Sequence, residues 1–152
     1  MSDLHRYFLG AALILLSSAC TPSSVGADFY RNYSEEDARI KKYSLEDQYQ
    51  IYRYGSDVIE PPDVGLGAVI AQKGQQVVPF LLTKLDEKTD SDDLRTRDIL
   101  MIFEFMQQSN YYDVRSDKNV MDHLERAVNT LDHSPWAAVC RRTLDDIKQT
   151  PR

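Results

Sequence analysis

Val78-Pro-Phe-Leu-Leu-Thr-Lys-Leu85 is the stretch that decides the fold class. Val78, Leu81, Leu82 and Leu85 recur at helical spacing, which places their apolar side chains on one stripe of an α-helix. Pro79 falls in the first turn, where a missing amide hydrogen costs little. The polar stretch from Asp86 to Asp93 then reads as a loop. Beyond it Ile99, Ile102, Phe103 and Met106 repeat the stripe along a stronger helix. No window of the chain shows the sustained alternation that a half-buried strand requires. The expected fold class is all-α.

Working upstream, Gly74 ends a helix in which Val64, Ala68 and Ala71 recur, and Pro61-Pro62-Asp63 seeds it. Ser34-Glu-Glu-Asp37 and Ser44-Leu-Glu-Asp47 both read as helix starts, with a capping hydroxyl and acids in the first turn. Gly55 stops the second of these in this reading. Downstream, Ser109 to Ser116 is a connection. Val120, Leu124, Ala127, Val128 and Leu131 mark one helix, and Ser134-Pro135 opens another carrying Trp136, Val139, Cys140, Leu144 and Ile147. Short loops between such helices imply antiparallel neighbours.

The segment from Val64 to Met106 resembles a HEAT-like helical repeat. The features that carry the likeness are Lys73-Gly74 before a helix, Val78-Pro79-Phe80-Leu81-Leu82 with Leu85, an acidic turn, and Leu94-Arg95 opening the next helix. The resemblance implies a short α-solenoid of antiparallel helices. A compact helical bundle is the alternative, since one repeat is recognisable and stacking normally needs three or more.

At the start of the chain, Tyr7-Phe-Leu-Gly-Ala-Ala-Leu-Ile-Leu-Leu16 is a ten-residue apolar run. A bilayer core of roughly 30 Å needs about 20 helical residues to span it, so this run suits the core of a signal peptide instead. Leu16-Ser17-Ser18-Ala19-Cys20 follows and resembles the lipobox of bacterial lipoproteins, with Ser17 where that family favours Leu. The resemblance implies cleavage between Ala19 and Cys20 and covalent lipid on Cys20, with no other cofactor. Thr21 is not the Asp that commonly retains such proteins in the inner membrane. The expected location is therefore the outer membrane, facing the periplasm. Residues 1–19 are then the signal peptide, 20–33 the lipidated cysteine and a flexible tether of small residues, and 34–149 the all-helical HEAT-like domain.

The 152 residues carry a formal charge of -6, and removing Asp3 and Arg6 with the leader leaves it unchanged. An acidic chain without a basic stripe repels nucleic-acid phosphates and anionic headgroups, so attachment to a membrane must come from lipid and not charge. Hydrophobic residues at 42% and charged residues at 28% are ordinary for a globular domain.

The histidines, the second cysteine and the acidic loop are the places where catalysis or metal binding could reside. His123 and His133 each follow an aspartate, but helical neighbours point about 100° apart and do not converge on one site. No His-Glu-x-x-His or clustered Cys/His spacing marks a zinc site. Cys140 shares a face with Trp136, Val139 and Leu144, the setting of a buried thiol. The loop Asp86-Glu-Lys-Thr-Asp-Ser-Asp-Asp93 lacks the glycine and terminal glutamate of an EF-hand. We therefore assign no catalytic residue and no metal ligand.

The distinctive signal is aromatic. Six of the nine tyrosines lie between Tyr30 and Tyr54, and Tyr111-Tyr112 sits in a connection. Leu45, Tyr49 and Tyr52 share a helix face that Ile51 and Tyr54 cannot join, so apolar surface is left over. Tyrosine suits interfaces because it joins a large ring to a polar tip. Tyr49, Tyr52, Tyr54, Tyr111 and Tyr112 are the candidate protein-binding residues. The expected function is a lipid-anchored, non-enzymatic module that binds another envelope protein. An immunity- or inhibitor-type lipoprotein that neutralises a basic protein, and an envelope hydrolase, are the alternatives.

Overall fold

The computed structural model describes residues 23–31, 36–87, 92–131 and 133–151. Among them the chain forms α1 (Ser23–Arg31), α2 (Glu36–Ile40), α3 (Leu45–Asp57), α4 (Leu66–Ala71), α5 (Val78–Asp86), α6 (Asp92–Gln108), α7 (Lys118–Asn129) and α8 (Ala137–Gln149). Two 3-10 turns, Gly74–Val77 and Val114–Ser116, precede α5 and α7. The described residues contain no strand, and the fold is all-α as expected.

Helix α6 lies at the centre. Ile99, Leu100, Ile102, Phe103 and Met106 are all fully buried, and they cover more than one face. The reason is that α6 packs against α3, α4, α5, α7 and α8, so a single apolar stripe would not suffice. Alternate helices pack in rows: α4 on α6 and α6 on α8, with α5 on α7. Across the second row, Lys84 of α5 pairs with Glu46 of α3 at 3.0 Å, and Phe80 meets Tyr49 edge-on at 5.6 Å. The buried side chains join into one cluster from Phe29 to Ile147.

The helix starts have local causes. Ser44 Oγ accepts from the Asp47 amide at 3.1 Å, as the sequence led us to expect. Asp117 Oδ1 accepts from the Val120 amide at 3.1 Å and opens α7 in the same way. Each satisfies a donor that the first helical turn leaves unpaired.

Several boundaries differ from the sequence reading, each for a packing reason. Residues 20–33 were expected to be a flexible tether, yet Ser23–Arg31 is a helix packed on α3. Phe29 is fully buried there, which supplies the stabilisation that small residues alone would not. Gly55 does not stop α3, which continues to Asp57. Its lack of a side chain instead admits the Tyr30 ring, since a Cβ at this position would collide with the Tyr30 hydroxyl.

In α4 the buried residues are Leu66, Gly67, Val69, Ile70 and Ala71, so of the expected line Val64, Ala68 and Ala71 only Ala71 is fully buried, because α4 is held between α2, α3 and α6. Val139 is 42% exposed and lies outside the core, on the solvent side of α8. That helix begins at Ala137, two residues after Pro135, while Ser134 Oγ accepts from the Trp136 amide at 3.0 Å. The expected helix start at Ser34 falls outside the described residues.

Candidate functional site

The five tyrosines assigned to binding have different surroundings. Tyr49 is 2% exposed and Tyr52 is 0% exposed, so contrary to expectation neither offers a surface to a partner. The physical reason is that α3 is covered on two sides, by α1 and by α4 and α6. Ile51, expected to be surplus, is likewise buried. Tyr52 Oη donates to the Asp98 carbonyl at 3.1 Å, whereas the buried Tyr49 hydroxyl has no hydrogen-bond partner among the described residues. Burial raises the pKa of both phenols well above the ordinary tyrosine value.

Tyr54 is half-buried, stacked on Tyr30 at 5.9 Å, and Tyr30 Oη donates to Asp63 Oδ2 at 2.8 Å. Phe29 extends this aromatic group with edge contacts to Tyr30 and Tyr43, and Arg39 lies over its ring at 4.5 Å. The apolar surplus of α3 is therefore covered by the chain's own first helix. Tyr112 is half-buried and donates to Asp117 Oδ2, the same carboxylate group that caps α7. Burial and this hydrogen bond push its phenol up to about 12. Tyr111 is the one of the five that is exposed, at 43%. Its carbonyl packs where a Cβ on Gly74 would lie 2.6 Å away, and Gly74 has a φ of +54° that glycine adopts without strain.

Sequence reading missed a charged cluster between α3 and α6. Asp98 is fully buried, and its Oδ1 accepts from Ser56 Oγ at 2.9 Å and from Arg97 Nη2 at 2.6 Å. Its other oxygen faces Arg53 Nε at 3.3 Å. Arg97 also reaches Asp57 at 2.8 Å and lies 4.7 Å over the Trp136 ring, tying α3, α6 and the entrance to α8 together. Burial pushes the Asp98 carboxyl up to about 6, while Arg97 pulls the other way. The signal that would have found it is an acid four residues before Ile102, on a buried line of α6.

A cleft of about 210 Å³ opens between the ends of α5, α6 and α7. Arg95, Arg126 and His123 line it with the hydroxyls of Thr96 and Thr130, and Asp86 stands at its edge. His123 Nδ1 is 2.8 Å from the Asn119 carbonyl, and its Nε2 is 3.9 Å from Asp86. His133 is exposed on the turn before α8. Cys140 is buried, and loss of solvent pushes its thiol up to about 11, which leaves little thiolate to act as a nucleophile. The described residues contain no group of three or more metal-ligating side chains. None of the described helices is long and apolar enough to cross a membrane. No family model, no curated protein and no solved structure matches the chain.

Proposed function

We propose that this chain is a lipid-anchored, non-enzymatic helical module that binds another protein of the bacterial cell envelope. The observation that carries the reading is the run Ser17-Ser18-Ala19-Cys20 directly behind the ten-residue apolar segment that ends at Leu16. Lipid on Cys20 gives stable attachment, because each buried methylene contributes about 0.8 kcal/mol and two or more chains hold a protein durably. The outer membrane, with the body in the periplasm, is the location that Thr21 favours. The packing of alternate helices in rows supports a short HEAT-like solenoid, an architecture that suits binding of proteins.

Tyr111 is the residue at which a partner is best sought, since Tyr49 and Tyr52 are enclosed and Tyr54 lies against Tyr30. A photo-crosslinking amino acid at Tyr111, incorporated in cells, is expected to yield a discrete adduct with an envelope protein. The same probe at exposed Gln149 should yield none. Equal labelling of both positions, or no adduct from Tyr111, contradicts this surface as the binding face.

A further inference from the structure

We infer that the segment Val58-Ile59-Glu60-Pro61-Pro62 is the part of the body that touches the lipid surface. The inference rests on lipidation of Cys20 as proposed above, and adds which face the anchor holds against the membrane. Cys20 precedes the first described helical residue, Ser23, by three residues. Three residues of fully extended chain span at most about 11 Å. The lipid attachment point therefore cannot lie far from the beginning of α1.

The beginning of α1 lies at one end of α3. Phe29, near the C-terminus of α1, packs on Tyr43 just before α3 begins. Gly26 lies against the Cβ of Tyr54, in the last turns of α3. The two helices thus run antiparallel, and Ser23 is one turn further on, towards the C-terminal end of α3. The Val58 amide donates to the Tyr54 carbonyl at 2.9 Å, so Val58 follows Tyr54 by a single turn. The anchored end of α1 and the segment after α3 occupy the same end of the molecule.

The chemistry of that segment fits a lipid interface. Val58 is 57% exposed, the most open large apolar residue among those described, and Pro61 and Pro62 are exposed beside it. Neither proline has an amide hydrogen to lose to a poorly hydrated setting, and the Val58 amide is already bonded. The flanking acids are engaged by the protein's own side chains: Asp57 pairs with Arg53 and Arg97, and Asp63 accepts from Tyr30. Glu60 is exposed and stays at headgroup depth. Because the chain is acidic, the contact is apolar and favours a zwitterionic surface over an anionic one.

The test uses the full acylated protein in phosphatidylcholine vesicles that carry a headgroup-level quencher. A Val58→Cys variant and an Asp145→Cys variant are labelled with an environment-sensitive fluorophore. Cys20 is blocked by its thioether and Cys140 is buried, so the introduced thiol takes the label. Flotation with the vesicles, abolished by Cys20→Ser, is the first readout, and its failure overturns the anchorage and this inference together. Given flotation, the Val58 label is expected to be quenched severalfold more than the Asp145 label, which sits on the exposed face of α8. Equal quenching, or stronger quenching at Asp145, overturns the assigned face and leaves the anchorage standing.

Discussion

Tyr52 and Tyr49 stand three residues apart on α3, and their hydroxyls make opposite demands on the core. Tyr52 Oη donates to the Asp98 carbonyl, so Tyr52→Phe removes a buried hydrogen bond and is expected to cost about 1 kcal/mol. Tyr49 Oη has no such partner, so Tyr49→Phe is expected to leave stability unchanged or raise it. Urea unfolding of the two variants beside the parent checks the pair, and a larger loss from Tyr49→Phe would contradict it. Asp98 poses a related problem for an ion. Its removal as Asp98→Ala leaves Arg53 and Arg97 short of a partner and is expected to cost about 3 kcal/mol.

The pH dependence of Asp98 follows from its burial. The carboxyl ionises at 3.8 when free and at about 6 in the folded chain. Between those values the folded form retains a proton that the unfolded form has lost, so this group's contribution falls as pH rises and is level above the window. The stability advantage of the parent over Asp98→Asn is therefore expected to shrink from about pH 4 to about pH 6 and stay constant beyond. An advantage that grows across that interval would show the carboxylate to be net stabilised by its arginines.

At the scale of elements, the helices that carry a regular apolar stripe were legible. Val78, Leu81 and Leu85 are buried as their spacing requires, with Leu82 of the same stripe half-buried, and so are Ile99, Ile102, Phe103 and Met106. Helix α1 was not legible, because Ser23-Ser-Val-Gly-Ala27 has the composition of a linker. Its helix depends on tertiary cover, with Phe29 enclosed among Tyr30, Tyr43 and Arg39. The same contact hid the fate of the tyrosines: surface that looked surplus to α3 is what α1 covers. Phe29→Ala is accordingly expected to cost about 3–5 kcal/mol, as truncation of a buried aromatic does. Thermal unfolding would register it, and a loss below about 1 kcal/mol would mean that α1 contributes little to the body.

For the whole molecule, sequence patterning reached the all-α class because helical periodicity is a local property. It did not reach the charged cluster around Asp98 or the cleft beside His123, since both are assembled from side chains on separate helices. Of the tyrosines expected to meet a partner, Tyr111 is exposed as the proposal requires, and Tyr49 and Tyr52 are not. Anchorage is a claim about chemistry at one sulfur, and mass spectrometry of the N-terminal peptide from membrane-extracted protein addresses it without a partner. The peptide is expected to begin at Cys20 and to carry a thioether-linked diacylglycerol. A mature chain that begins elsewhere, or a Cys20 with a free thiol, would contradict the account.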